Sequence, residues 1–138
     1  MDDPMKAILA GIKEQMQGLG YRPDKIVLWV ADDDRDFIDE LKRTAPDNVN
    51  VRGIYNKEDL MMAVRENGKN ILLMDIDLAG AFGGADGFDL IKEMNLTEWT
   101  DDLVVCSGND NPRFANEAVS LGGRFLSKDE PDLLSKIV

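Results

Sequence analysis

Apolar residues in this chain fall into two patterns that alternate along its length. Short continuous runs occur at Lys25 to Ala31 (KIVLWVA), Ile71 to Met74 (ILLM) and Leu103 to Cys106, and Val49 to Ile54 and Arg124 to Leu126 read as two further short strands. Runs of this kind, without polar alternation, are how strands buried on both faces of a parallel sheet read. Between and after them lie helical stripes. Asp36 to Ala45 carries Phe37, Ile38 and Leu41 inward and is closed by Pro46, and Lys57 to Glu66 carries Leu60, Met61 and Val64 and is ended by Gly68. Gly87 to Leu96 carries Phe88, Ile91 and Met94, and Pro112 to Leu121 and Pro131 to Val138 complete the series. Strand and helix alternating in this way predict one α/β domain, a doubly wound parallel sheet with right-handed crossovers and helices on both faces.

One element precedes this series. Asp3-Pro4 reads as an N-cap and first helical residue, followed by a stripe of Met5, Ile8, Leu9, Ile12, Met16 and Leu19 that ends near Gly18 to Gly20. The expected division is therefore 1–24, an amphipathic helix and its connection, and 25–138, the α/β domain. The polar face of the helix mixes Lys6, Lys13 and Glu14, too weakly basic to hold a membrane surface. It is expected to pack on its own domain or on a partner, a second copy in a homodimer included.

Composition narrows the function. A chain of 138 residues with 43% hydrophobic content suits one globular domain. Sixteen Lys and Arg against 27 Asp and Glu give a net charge of −11, which argues against nucleic acid and anionic membranes as partners. No apolar stretch approaches about 18 residues, and the N-terminus lacks a basic region followed by an apolar core, so neither a span nor a signal peptide is expected. The single cysteine, Cys106, permits no disulfide within the chain and no cysteine-rich zinc site, and the expected location is cytoplasmic. The sequence has no histidine, which removes Ser-His and Cys-His nucleophile pairs and most zinc sites. Carboxylate, hydroxyl and lysine chemistry with a hard metal such as magnesium is what remains.

The predicted strands end in those residue types. The first runs into Asp32-Asp33-Asp34, the third into Asp75-Ile76-Asp77, the fourth into Ser107-Gly108 and the fifth into Ser127-Lys128. Open α/β sheets bind ligands at the carboxyl ends of their strands, so the topology collects Asp32, Asp33, Asp75, Ser107 and Lys128 at one edge. Singly these are a solvated acid turn, a strand-end hydroxyl and a surface lysine; together they are far more specific. Three carboxylates within about 5 Å repel by roughly 3 kcal/mol per pair at an effective dielectric near 20, and the cluster calls for a divalent cation. Magnesium suits all-oxygen ligation. A phosphoryl group on Asp75 would be neutralised by that metal, the Lys128 ammonium and the Ser107 hydroxyl.

At these residues the sequence resembles the receiver domain of two-component response regulators, of the chemotaxis-regulator type, from Lys25 to the end. The resemblance implies a flavodoxin-like (βα)5 fold with strand order 2-1-3-4-5. It makes Asp75 in LLMD the phosphoacceptor, Asp32 and Asp33 in ADDD the acid pair on magnesium, and Asp77 a metal ligand through its backbone carbonyl. Ser107 in VVCSG matches the switch hydroxyl, Phe125 in GGRFLSK the switch aromatic, and Lys128 the phosphate-binding lysine. It also implies a histidine kinase or phosphotransfer protein as donor and a downstream protein partner. The domain is expected to signal rather than act as an enzyme, beyond self-phosphorylation from a donor and autodephosphorylation.

Three features depart from the family pattern. The loop from Asp75 to Gly87 is longer than usual, lacks its proline and carries Gly80, Gly83 and Gly84, which predicts a mobile segment. Asp129 follows Lys128 where proline is usual, so no cis peptide is expected there. The last helix is short, with an apolar end at Ile137-Val138 that suggests a continuing chain. Other readings stay open: a receiver-like interaction module working without phosphorylation, and a haloacid-dehalogenase-like phosphatase, whose DxD nucleophile and acid Asp75-Ile76-Asp77 copies. A topoisomerase-primase DxD metal site is also open, although its catalytic glutamate is missing.

Overall fold

The computed structural model describes residues 26–66, 70–78, 80–109 and 111–138. The predicted N-terminal helix and its connection lie outside the described residues. Five strands alternate with helices: β1 (Ile26–Ala31), α1 (Arg35–Thr44), β2 (Val49–Ile54), α2 (Lys57–Ala63), β3 (Asn70–Asp75), α3 (Gly87–Glu93), α4 (Leu96–Trp99), β4 (Asp102–Ser107), α5 (Pro112–Ser120), β5 (Arg124–Ser127) and α6 (Leu133–Ile137). All strand pairs are parallel, in the order β2-β1-β3-β4-β5.

The two faces follow from side-chain alternation along the strands. In β1, Leu28 and Val30 point to one layer with Ile38 and Leu41 of α1 and Leu133 and Ile137 of α6. Trp29 and Ala31 point to the other, with Leu60 of α2, Leu90 and Ile91 of α3, Leu96 of α4 and Ala118 of α5. Because β1, β3 and β4 are covered on both faces, they carry the uninterrupted apolar runs seen in the sequence.

Three expectations need local correction. The helix read as Gly87 to Leu96 is interrupted: Asn95 adopts a left-handed φ of 51°, ending α3 and restarting the chain as α4 with Leu96 fully buried. Met61, read as inward, is 48% exposed, and Ala63 faces the core instead. The long loop after β3 is not simply a glycine tether. It forms a turn of 3-10 helix, Gly80–Phe82, and buries the Phe82 ring completely in the α2–α5 layer, with Gly83 and Gly84 at positive φ beyond it. As the Asp129 reading implied, no cis peptide occurs among the described residues. No described helix is long and apolar enough to cross a membrane.

Candidate functional site

The parallel register brings the ends of β1, β3, β4 and β5 to one edge, and with them the predicted residues. Ala31 pairs with Met74 and Asp75 with Cys106, so Asp32 and Asp75 leave adjacent strands side by side. Each acid is fixed by the chain that follows it. Asp32 Oδ1 accepts the Asp34 amide at 2.9 Å, and Asp75 Oδ1 accepts the Asp77 amide at 3.2 Å. The Asp34 side chain accepts the amides of Asp36 and Phe37, capping α1 and turning the acid run away from the sheet.

Asp32, Asp33 and Asp75 each present a carboxylate oxygen within 4.8 Å of the others; Asp32 and Asp75 are buried and Asp33 is exposed. Lys128 reaches in from the end of β5, its ammonium 2.7 Å from Asp32 Oδ2 and 3.7 Å from Asp75 Oδ2. Its backbone amide donates to the Ser107 carbonyl at 2.9 Å, tying the β5 end to the β4 end. The ammonium also lies 4.4 Å from the centre of the Phe37 ring, which is half-buried and packs against the core from its edge.

Burial dominates the electrostatics. It pushes the Asp75 carboxyl up from 3.8 to about 6, reinforced by the neighbouring Asp32 charge and opposed by Lys128. Burial also raises Asp32, against the ion pair with Lys128 and the Asp34 amide. For Lys128, burial works against the charge, but Asp32 and Asp75 outweigh it and the ammonium is held more firmly protonated than usual. Cys106, buried next to Asp75 along β4, has its thiol pushed well up and is inert.

The donor set fits a hard divalent cation. All the converging atoms are oxygens, and Asp32 Oδ2 is buried without a well-directed hydrogen bond, although the Lys128 ammonium is 2.7 Å away.

The remaining predicted residues occupy the expected places with one unforeseen connection. Ser107 is buried at the end of β4, where its hydroxyl accepts the Asn109 amide at 3.0 Å and donates to Asp77 Oδ2 at 2.7 Å. Phe125 on β5 is half-buried, its ring 6.3 Å from Phe114, which in turn lies 6.1 Å from Phe88. The Asp77 residue was expected to matter through its backbone carbonyl; what the structure shows engaged by Ser107 is its side chain.

Sequence reasoning passed over Gly87. A Cβ built there would lie 2.2 Å from the Asp75 carbonyl oxygen and 2.9 Å from Met74 Cγ. Its amide donates to the Ile76 carbonyl at 3.1 Å, so the start of α3 rests against the backbone of Asp75. A glycine at a helix start beside a glycine-rich loop carries no signal of such contact; only the packing reveals it.

No family model matches the sequence, and no curated protein matches it. Solved structures do. The receiver domain of a Francisella response regulator is 17% identical, with a TM-score of 0.67 over 82% of this chain and 93% of that one. A two-component response regulator from Clostridium difficile is 20% identical, with a TM-score of 0.68 over 82% and 93% of the two chains. A response regulator from Burkholderia pseudomallei, solved with a phosphorylated aspartic acid and a calcium ion, is 22% identical, with a TM-score of 0.67 over 83% of this chain and 67% of that one. With its strand order and its helices on both faces, the chain has the flavodoxin-like fold of response-regulator receiver domains that the resemblance in its sequence implied.

Proposed function

We propose that residues 25–138 form a phosphoacceptor receiver domain of a two-component system, with Asp75 as the nucleophile. The observation that carries this reading is the buried Asp75 carboxylate, within 4.8 Å of Asp32 and Asp33 and faced by the Lys128 ammonium. An Asp75 oxygen attacks phosphorus and forms the P–O bond, while the bond from phosphorus to the donor breaks and its electron pair stays with the donor. With no histidine in this sequence, a phosphohistidine donor acts in trans, from a histidine kinase or phosphotransfer protein. Magnesium, held by Asp32, Asp33, Asp75 and the Asp77 carbonyl, would neutralise charge on the phosphoryl oxygens. Lys128 places a second positive charge beside the same oxygens, and burial of Asp75 excludes competing water. The Burkholderia relative, described with a phosphorylated aspartate and a bound divalent cation, supports the same chemistry here.

The phosphoryl group adds close to two negative charges beside Ser107, whose hydroxyl then donates to it. Movement of Ser107 vacates space that Phe125 fills, altering the surface of α5, β5 and α6 on which a downstream protein partner docks. On this reading the chain is a cytoplasmic signalling domain and not an enzyme. A receiver-like module working without phosphorylation is favoured by one observation, the prior engagement of the Ser107 hydroxyl by Asp77.

Incubation with acetyl phosphate and magnesium tests the proposal. One phosphoryl mass should appear on the wild type and none on Asp75→Asn, and Asp33→Ala should weaken magnesium binding while leaving the apo fold intact. An unmodified wild type would favour the interaction module. Modification persisting in Asp75→Asn would remove Asp75 from the role, and steady phosphate release from p-nitrophenyl phosphate would favour the phosphatase reading.

A further inference from the structure

The layer formed by α1 and α6 contains an open groove with an apolar floor. The groove, of about 720 Å³, runs between them, with Phe37, Leu41, Pro46, Leu133, Leu134 and Val138 as its apolar lining. α1 has ten residues and α6 five, so at 1.5 Å per residue α6 is about half as long as its neighbour. Its apolar lining offers a seat for an apolar stripe.

We infer that the groove is the seat of the chain's own N-terminal segment, residues 3–19, docked in cis through its stripe of Met5, Ile8, Leu9, Ile12, Met16 and Leu19. Three observations select this occupant. The first is connectivity. The described chain begins at Ile26, whose amide donates to the Asn48 carbonyl at 2.9 Å, two residues from Pro46 in the groove wall. The connection 20–25 spans at most about 20 Å when extended, so residue 19 lies within reach of that end. A helix over 3–19 would be about 25 Å long, enough to run the length of α1 and past it.

The second is charge. The groove rim carries Glu40, which pairs with Arg43, Glu130, which pairs with Lys136, and Asp132, against Lys128, which turns toward Asp32. On a helix of 3.6 residues per turn, Lys6 and Lys13 fall together along one border of the apolar stripe, while Glu14 lies on the opposite face. The third is the competition with a second copy. Chains of net charge −11 repel each other, whereas a segment tethered by six residues is present at an effective concentration in the millimolar range. Since Phe37 and Lys128 line the groove and Lys128 pairs with Asp32, a docked segment would lie beside the acid cluster. The inference does not depend on phosphorylation.

Hydrogen exchange on the full chain tests it. Ile8→Glu/Ile12→Glu should lose amide protection at residues 41–45 and 133–138 while leaving β3 and β4 as in wild type. Ala7→Glu/Ala10→Glu, which adds the same charge on the opposite face, should exchange like wild type, and all three proteins should sediment as monomers. Unchanged protection at 41–45 and 133–138, loss on another face, or an equal loss in the control would overturn the inference. So would a dimeric wild type that the stripe variant makes monomeric, which assigns the groove to a second copy. A second measurement needs no variant and covers misfolding of the stripe protein. Zero-length carbodiimide coupling of wild type should join Lys6 or Lys13 to Glu40, Glu130 or Asp132. The bond should form within one chain when labelled and unlabelled proteins are mixed; its absence, or bonds only between chains, would overturn docking in cis.

Discussion

Ser107 donates its hydroxyl proton to the Asp77 carboxylate across 2.7 Å, joining the end of β4 to the loop after β3. The same hydroxyl is the group that a phosphoryl oxygen on Asp75 would recruit, so Asp77 and the phosphoryl group compete for one proton. A hydrogen bond to a charged acceptor is worth roughly 1.5 to 3 kcal/mol when shielded and less at an exposed residue such as Asp77, so about 1 kcal/mol would oppose recruitment of Ser107 to a phosphoryl oxygen. Asp77→Ala frees Ser107 and removes a like charge. At saturating magnesium it should tighten beryllofluoride binding by roughly fivefold, the equivalent of that energy. Calorimetric titration decides the matter, and an affinity equal to or weaker than wild type would show that Asp77 does not restrain Ser107.

Asp75 makes folding pH-dependent in a direction set by its burial. Its carboxyl is raised from 3.8 to about 6, so its favourable contribution is complete below about 4 and is lost as pH rises through about 6. That difference corresponds to roughly 3 kcal/mol at most, since relaxation and water reduce it. Asp75→Asn keeps the shape without the charge. In metal-free buffer it should be more stable than wild type by about 1 to 3 kcal/mol near pH 7.5, with the gain vanishing near pH 4. Urea unfolding across that range is the measurement. A gain that does not change with pH would mean that packing, not ionisation, is responsible.

What the sequence made legible follows from what topology alone determines. Asp32, Asp75, Ser107 and Lys128 could be placed at one edge because each directly ends a strand, and parallel strands share an end. The continuous runs of β1 and β3 were readable for the same reason, both faces being covered. Contacts within loops were not readable. Phe82 anchors a glycine-rich loop from a position without periodicity, and Asn95 breaks a good helical stripe through its backbone conformation. The Asp77–Ser107 bond depends on a rotamer across 30 residues of sequence, which no spacing encodes.

Lys128 compensates two buried acids at once, at 2.7 Å from Asp32 and 3.7 Å from Asp75. Lys128→Met retains the apolar stem and removes the charge, leaving both carboxylates without a nearby cation. The apo protein should lose about 2 to 4 kcal/mol at neutral pH, because an uncompensated buried charge costs more than the pair was worth. Lowering the pH to about 5 should restore part of the loss by protonating Asp75, whose carboxyl titrates near 6 in wild type and higher without the lysine. Added magnesium should raise the melting temperature more in the variant than in wild type, since the metal would then supply the only compensating charge. Equal shifts in the two proteins would argue that the metal and Lys128 act on separate groups.

Gly87 tests whether the start of α3 positions the Asp75 carboxylate. An alanine Cβ would lie 2.2 Å from the Asp75 carbonyl oxygen, and the strand beneath is buried from Leu72 to Asp75 between its neighbours and cannot yield freely. Helix propensity alone favours alanine over glycine by up to about 1 kcal/mol, so a purely local view expects Gly87→Ala to stabilise the protein. The contact argues the opposite: forcing β3 and α3 apart should cost about 1 to 3 kcal/mol net and displace Asp75 relative to Asp32 and Lys128. Two readouts should move together, a lower urea midpoint and slower acetyl-phosphate modification of Asp75. Gly80→Ala supplies the comparison from the same loop, because nothing lies within 4 Å of its Cβ and its φ is not positive; it should change stability by less than about 0.5 kcal/mol. If Gly87→Ala behaves like Gly80→Ala, the close approach is relieved without disturbing Asp75, and α3 has no part in holding the site.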